Sequence, residues 1–197
     1  MSRTQEVTPA RPEPARSPGT PWPAWPGGRI LIRQAGGGDL GGLRDFLAGL
    51  SVRTRHLRFF AGAPASAAML RVLAGQRPDA DALVAIGNGE IIGHAMAVDT
   101  ADPPGAAATE IGIVVADAWQ GRGVGSGLIR TLASRARARG ATTLVMEVMA
   151  ENRRVLAMIA GRWPGARHDR SAAYVTVRAR LDQPPSHPDP ARGRLAR

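Results

Sequence analysis

Seven residues, Gln120-Gly121-Arg122-Gly123-Val124-Gly125-Ser126, limit what this chain can fold into more than any other stretch. Ahead of them runs Glu110-Ile111-Gly112-Ile113-Val114-Val115, short and β-branched, and behind them Leu128, Ile129, Leu132, Ala133 and Ala136 recur at helical spacing. The order is therefore strand, glycine-rich turn, helix. Glycines at a helix start let the backbone take left-handed angles and approach a ligand closely. The unpaired N–H groups of the first turn, together with the helix dipole, favour an anion there. A phosphate is the natural guest, and the competing possibility is a glycine-rich helix start that binds nothing.

Three phosphate-binding patterns can be set against this turn. A Walker-type loop needs a lysine after its glycines, and the chain contains none. A dinucleotide fingerprint needs G-x-G-x-x-G, but counting from Gly121, Gly123 or Gly125 the third glycine position holds Ser126, Leu128 or Arg130. One feature imitates that fingerprint: Glu147 follows by about 20 residues, near the end of the next strand, where a ribose-binding acid would sit. A nicotinamide cofactor therefore stays as an alternative. The third pattern, Gln/Arg-x-x-Gly-x-Gly/Ala, is met throughout by Gln120 to Gly125. A helix closing at Arg139-Gly140 follows, then a strand over Thr142 to Val148, and then Glu151-Asn152 opening another helix.

In this turn and its setting the chain resembles the GNAT superfamily of N-acetyltransferases. The resemblance implies an α/β fold, a mixed central sheet flanked by helices, with acetyl-CoA as co-substrate and no metal. It implies that Ile113, Val114 and Val115 offer their main chain to the pantetheine arm as a further strand would. Gln120, Gly121, Arg122, Gly123, Val124, Gly125 and Ser126 would cradle the pyrophosphate, and Asn152 would contact the cofactor. Arg122 either adds a charge to the phosphates or is a solvated surface residue. For the general base there are two candidates. Glu110, in Thr-Glu-Ile-Gly-Ile-Val-Val, matches the base of the bacterial protein-lysine acetyltransferases and is preferred; Glu147 matches that of the ribosomal-protein N-terminal acetyltransferases. Either could instead be a strand acid paired with an arginine. Many members carry a tyrosine acid in the helix after the Asn, but here Ile159 holds its place. The protein-lysine branch also lacks that tyrosine, and Ser51 followed by Arg58-Phe59-Phe60 resembles the same branch. The only tyrosine, Tyr174, lies in a late strand and reads as core or rim. A protein lysine is thus the expected acceptor. The alternatives are a small-molecule amine and a module that senses acyl-CoA without turnover.

A chain of 197 residues, 44% hydrophobic, suits one domain with a real core. Boundaries are expected at a proline-rich tail over residues 1–28, a folded domain over 29–180 and a second tail over 181–197. Trp22 and Trp25 in the first tail read as a hydrophobic clasp. Within the domain, Arg29 to Arg33 reads as a strand, Asp39 to Leu50 as a helix, and Ala65 to Ala74 as a short helix. Gly87-Asn88-Gly89 marks a hairpin between strands Ala82–Ile86 and Glu90–Val98. Asp102 to Ala107 reads as a loop, and Ser171 to Ala179 as the last strand. The formal charge of +10 comes entirely from Arg, and each tail carries three Arg and two acids, so the excess belongs to the domain. The arginines form no basic run and have almost no aromatic interleaving, which argues against nucleic acid; a polyphosphate cofactor also draws positive charge. Arg130, Arg135, Arg137 and Arg139 read as the wet face of their helix. Without cysteine there are no disulfides, thiolate metal sites or cysteine nucleophiles. His56 and His94 lack metal-ligand spacing. No run of about 18 apolar residues and no signal segment is present, so a cytoplasmic protein without a membrane span is expected. The oligomeric state is not legible.

Overall fold

The computed structural model describes residues 20–21, 30–60, 66–102 and 106–181. Trp22, Trp25 and nearly all of both tails lie outside them. The described residues build eight strands and five α-helices: β1 (Thr20–Pro21), β2 (Leu31–Gln34), α1 (Leu40–Gly49), α2 (Val52–Phe59), α3 (Ala67–Leu73), β3 (Ala80–Gly87), β4 (Glu90–Asp102), β5 (Ala106–Val115), α4 (Val124–Ala138), β6 (Thr143–Met149), α5 (Arg153–Arg162), β7 (Arg167–Arg170) and β8 (Tyr174–Arg180). They form one sheet in the order β1-β2-β3-β4-β5-β6-β8-β7. Every neighbouring pair is antiparallel except β5 and β6, which are joined through α4 and run parallel. A crossover helix is what a parallel pair requires. The result is the mixed sheet flanked by helices that the sequence implies.

Two cores lie on the two faces. One gathers Leu83, Ala95, Ile111, Leu144 and Val177 of the sheet under Leu128, Ile129 and Leu132 of α4 and Ile159 of α5. The other gathers Val84 and Val114 under Leu43, Phe46 and Leu47 of α1 and Leu70 and Leu73 of α3. Periodicity explains both: Leu43, Phe46 and Leu47 are three and four residues apart, so they share one side of their helix. The hairpin turns on Asn88 and Gly89, both left-handed (φ 53° and 83°), which suits a two-residue loop matched to the strands' twist.

Four features depart from the sequence reading. The loop expected over Asp102 to Ala107 is shorter, because Asp102 still pairs with Ala106 and Ala101 with Ala107 at the ends of β4 and β5. Val52–Phe59, to which the sequence reading gave no element, is a helix, α2; Ser51 Oγ accepts from Thr54 N–H at 3.1 Å and caps it. The strand β7, Arg-His-Asp-Arg, is exposed throughout and has no apolar alternation, so nothing local marks it; pairing with β8 alone defines it. Arg135 and Arg139 do not form a free wet face. Both reach back to Asp81 of β3, at 2.6 and 2.9 Å from Arg135 and 2.8 Å from Arg139, and Arg139 also meets Asp99 at 3.3 Å. An aspartate only 6% exposed needs such partners to keep its charge.

Candidate active site

The parallel ladder between β5 and β6 is short. Ala108 pairs with Thr143, Thr109 with Leu144 and Glu110 with Val145, and there it stops, although β5 continues to Val115 and β6 to Met149. On their outer edges both strands stay paired, β5 with β4 as far as Val115 and β6 with β8 as far as Met149. Only the two edges that face each other are open. Main-chain N–H and C=O groups left without a ladder need partners of some kind. A cleft of about 610 Å³ opens along this gap, and it passes from one face of the sheet to the other. Leu57, Arg58 and Phe60 of the α2 segment border it on one side; Ile129 of α4 and Val155 and Met158 of α5 border it on the other.

One end of the cleft is the glycine turn. Gly121 and Gly123 are left-handed (φ 76° and 81°), a conformation that strains any side chain. Gly123 precedes the first residue of α4, and a Cβ built on it meets nothing within 4 Å, so the helix N-terminus opens onto free space. A Cβ on Gly121 would overlap Arg154 Nη2, which puts a guanidinium of α5 against the turn. Sequence reasoning did not single out Arg154; its place after the Asn that opens α5 was the available signal. The side chains of the turn have separate tasks. Gln120 Nε2 donates to Val115 O at 3.1 Å and to Thr54 Oγ1 at 3.2 Å. Arg122 stacks over Trp119, 5.4 Å from the ring centre, and Val124 is buried in the α4 core. Gly125 and Ser126 line the cleft, and Ser126 Oγ donates to Met158 Sδ at 3.7 Å. Asn152 also lines it and caps α5, its Oδ1 accepting from Val155 N–H at 3.4 Å. Ile113, Val114 and Val115 all border the open edge of β5.

A polar clamp ties α2 to this end. Asp117 accepts from Ser51 Oγ (2.8 Å), Ser51 N–H (3.0 Å) and Thr54 Oγ1 (2.7 Å). Burial pushes the Asp117 carboxyl up, but these hydrogen bonds outweigh it and hold the group below the usual carboxylate range. The sequence marks Ser51 but neither Thr54 nor Asp117, because their meeting depends on a contact across more than sixty positions.

Strand alternation sorts the remaining groups. Glu110, Gly112 and Val114 point to the α1 and α2 face, and Ile111, Ile113 and Val115 to the α4 face. On β6 the buried Met146 and Val148 face α4 and α5, so Glu147 shares the α2 face with Glu110; both carboxylates are exposed in the cleft. Arg58 lies over Gly112, so closely that a Cβ there would overlap its guanidinium. Burial lowers the Arg58 pKa, and the charge of Glu110 raises it back in part. Ile159 is 1% exposed, so the usual tyrosine position is core. Tyr174 stands outside the cleft lining, edge-on to Phe60 with ring centres 5.9 Å apart. Among the described residues no group of three or more His, Asp or Glu could hold a metal, and no helix is long and apolar enough to cross a membrane.

No curated protein sequence matches the chain. Solved structures do. The GNAT domain of S. lividans PAT is 27% identical over 78% of this chain and 92% of its own, with a TM-score of 0.69. YncA of Salmonella typhimurium, solved with its cofactor acetyl-CoA, is 18% identical over 82% and 98%, with a TM-score of 0.60. The ribosomal-protein-alanine N-acetyltransferase of Brucella melitensis is 19% identical over 75% and 97%, with a TM-score of 0.61. The acetyltransferase (GNAT) family matches residues 51–161, the span that carries α2, the open edge of β5, the glycine turn and α5, and the chain belongs to that family.

Proposed function

We propose that this acetyltransferase moves the acetyl group of acetyl-CoA directly to a primary amine, with a protein lysine as acceptor and Glu110 as general base. The observation that carries the reading is the early end of the β5–β6 ladder, which leaves the β6-facing edge of Ile113 to Val115 without a strand partner, only the Val115 carbonyl being met by Gln120 Nε2, along a cleft closed by the glycine turn. A pantetheine arm is a chain of amides and can complete such an edge as a strand would. The N–H groups from Gly121 to Ser126 then meet the pyrophosphate, the open space at Gly123 accommodates it, and Arg154 adds charge. Asn152 meets the cofactor from the start of α5. Acetyl-CoA supplies an acetyl group activated as a thioester.

The chain's own residues hold the two reactants together and move one proton. Glu110 would take one proton from the acceptor's ammonium, freeing the nitrogen lone pair to attack the thioester carbonyl; as the C–S bond breaks, the nitrogen gives up a second proton to the departing sulfur, so coenzyme A leaves as the thiol and the amide keeps one N–H. Positioning alone accounts for a large share of such a barrier, up to roughly 7–11 kcal/mol. Glu147, on the same face, is the second candidate for the base. The lysine acceptor is supported by the resemblance of Ser51 and Arg58-Phe59-Phe60 to the protein-lysine branch, Arg58 and Phe60 bordering the cleft on the Glu110 side, and by the 27% identity to the GNAT domain of S. lividans PAT.

Calorimetric titration with acetyl-CoA tests the reading, with NADH as control. Saturable binding of acetyl-CoA alone is expected, and Gly123→Asp, which places a carboxylate at a left-handed helix start, should weaken it at least tenfold. Binding of NADH instead, or no loss in the variant, would remove the assignment of the turn. A small-molecule amine would show as turnover on free amines with none on peptides.

A further inference from the structure

We infer that Arg58 receives a carboxylate carried by the acceptor, so that the substrate is an amine bearing an acidic group; this rests on the acetyl-transfer reading above. Arg58 lines the cleft on the face of Glu110, and its Nε is sealed from solvent without a hydrogen-bond partner. Among the described residues its guanidinium makes no hydrogen bond and no ion pair, although the group presents five donors. It lies against the Phe59 ring, 5.1 Å from the guanidinium carbon, and over the backbone at Gly112, with the neutral His94 close enough to feel its charge. Two partly buried arginines elsewhere are fully engaged: Arg33 holds Asp39 through both Nη atoms at 2.8 and 2.6 Å, and Arg135 holds Asp81 through two nitrogens. Arg162 shares an unpartnered Nε with Arg58, but it stacks on Trp163 and lies outside the cleft lining. Glu110 is near enough to act on Arg58 through its charge, yet stays exposed and does not bond to it.

A desolvated guanidinium with unused donors matches a planar, bidentate anion, which a carboxylate is. Gly112 is the seat that makes this possible, because any side chain at that position would displace the group. An acceptor whose amine approaches Glu110 thus finds a cation beside it on the same face. The pyrophosphate is not the guest of Arg58, since the glycine turn, with Arg154 against it, lies at another part of the cleft.

The test compares kcat/KM for matched acceptors with acetyl-CoA held saturating: lysine peptides flanked by Glu or by Gln, and free amino acids against their amides. The wild type should prefer the carboxylate member of at least one pair by roughly 10- to 100-fold. Which pair responds tells whether the carboxylate sits on a peptide or a free amino acid. In Arg58→Gln that ratio should fall to near one, with Arg58→Lys between, while acetyl-CoA binding by calorimetry stays within about twofold of wild type. Equal loss on acidic and neutral acceptors would make Arg58 a positioning residue for Glu110 and overturn the inference. So would a preference for succinyl-CoA over acetyl-CoA that disappears in Arg58→Gln, because the carboxylate would then ride on the acyl group. Titration of the peptides without donor reads the same contact without turnover. If acetyl-CoA binds but acidic and neutral peptides bind alike, the carboxylate inference alone falls; if acetyl-CoA does not bind, the transfer reading falls.

Discussion

Glu110 occupies the last rung of the β5–β6 ladder, and that position makes it both fixed and available. Its backbone is held on both sides by Val98 and Val145, while its carboxylate stays exposed in the cleft. Glu147 is two residues beyond Val145 on the same face, so one cleft presents two candidate bases. Glu110→Gln is nearly isosteric and cannot accept a proton, so kcat should fall about 100- to 10,000-fold while acetyl-CoA binding is retained. Glu147→Gln should leave kcat within about tenfold; the reverse ranking in a pH-controlled steady-state assay would transfer the role to Glu147. Both glutamates and the glycines were legible in the sequence because they sit in a local pattern of strand, turn and helix. Arg58 entered only as part of the Arg58-Phe59-Phe60 resemblance, and Arg154 not at all, because what distinguishes each is the glycine it lies against.

At the scale of elements, α2 is the part whose placement matters most, since it carries Arg58 and Phe60 to the cleft. Its anchor is Asp117, which binds Ser51 and Thr54, with Gln120 donating to Thr54 in turn. Asp117→Ala would leave the buried Thr54 hydroxyl short of its acceptor and free the helix start. A loss of about 1–3 kcal/mol in urea unfolding is expected. The acceptor KM should rise more than the acetyl-CoA Kd, because the glycine turn keeps its own backbone; equal effects on both ligands would show that α2 does not serve the acceptor side. Helix α4 shows the complementary case. Its apolar stripe and its seat against Gly93, where a Cβ would stand 3.1 Å from Leu128 Cδ1 and 3.2 Å from Val124 Cγ1, follow from small and large residues at fixed periods. Periods of that kind survive in one dimension; the Asp117 clamp does not.

Across the whole molecule, the second core is closed by a histidine. His94 on β4 is fully buried, and its Nε2–H donates to Leu73 O at 2.9 Å, which joins the end of α3 to the middle of the sheet. Burial lowers its pKa to about 4, a shift the Leu73 hydrogen bond opposes and the charge of Arg58 reinforces. The folded protein therefore keeps His94 neutral where the unfolded chain, with an ordinary value near 6.5, takes up a proton. Stability from this group is complete above about pH 6.5 and is lost as the pH falls toward about 4. Roughly 2 kcal/mol should be gone by pH 5. Urea unfolding at pH 7 and pH 5 measures it, and His94→Gln should flatten the difference; an unchanged pH dependence in that variant would assign it to other groups.

The sequence by itself determined what depends on neighbours along the chain. It set the hairpin at Asn88-Gly89, the apolar faces of α1 and α4, the glycine turn and the strand before it, and through these the α/β fold and the resemblance that led to the family. Tertiary structure alone decided where β5 and β6 part, that an all-polar Arg167–Arg170 becomes a strand, that Arg135 and Arg139 turn inward to Asp81, and that Arg58 lies on Gly112. The physical reason is the same in each instance. Helical and strand periods and turn angles are short-range and write themselves into residue order, whereas open edges, ion pairs and guanidinium seats arise between segments tens of residues apart and come into being only when the sheet has formed.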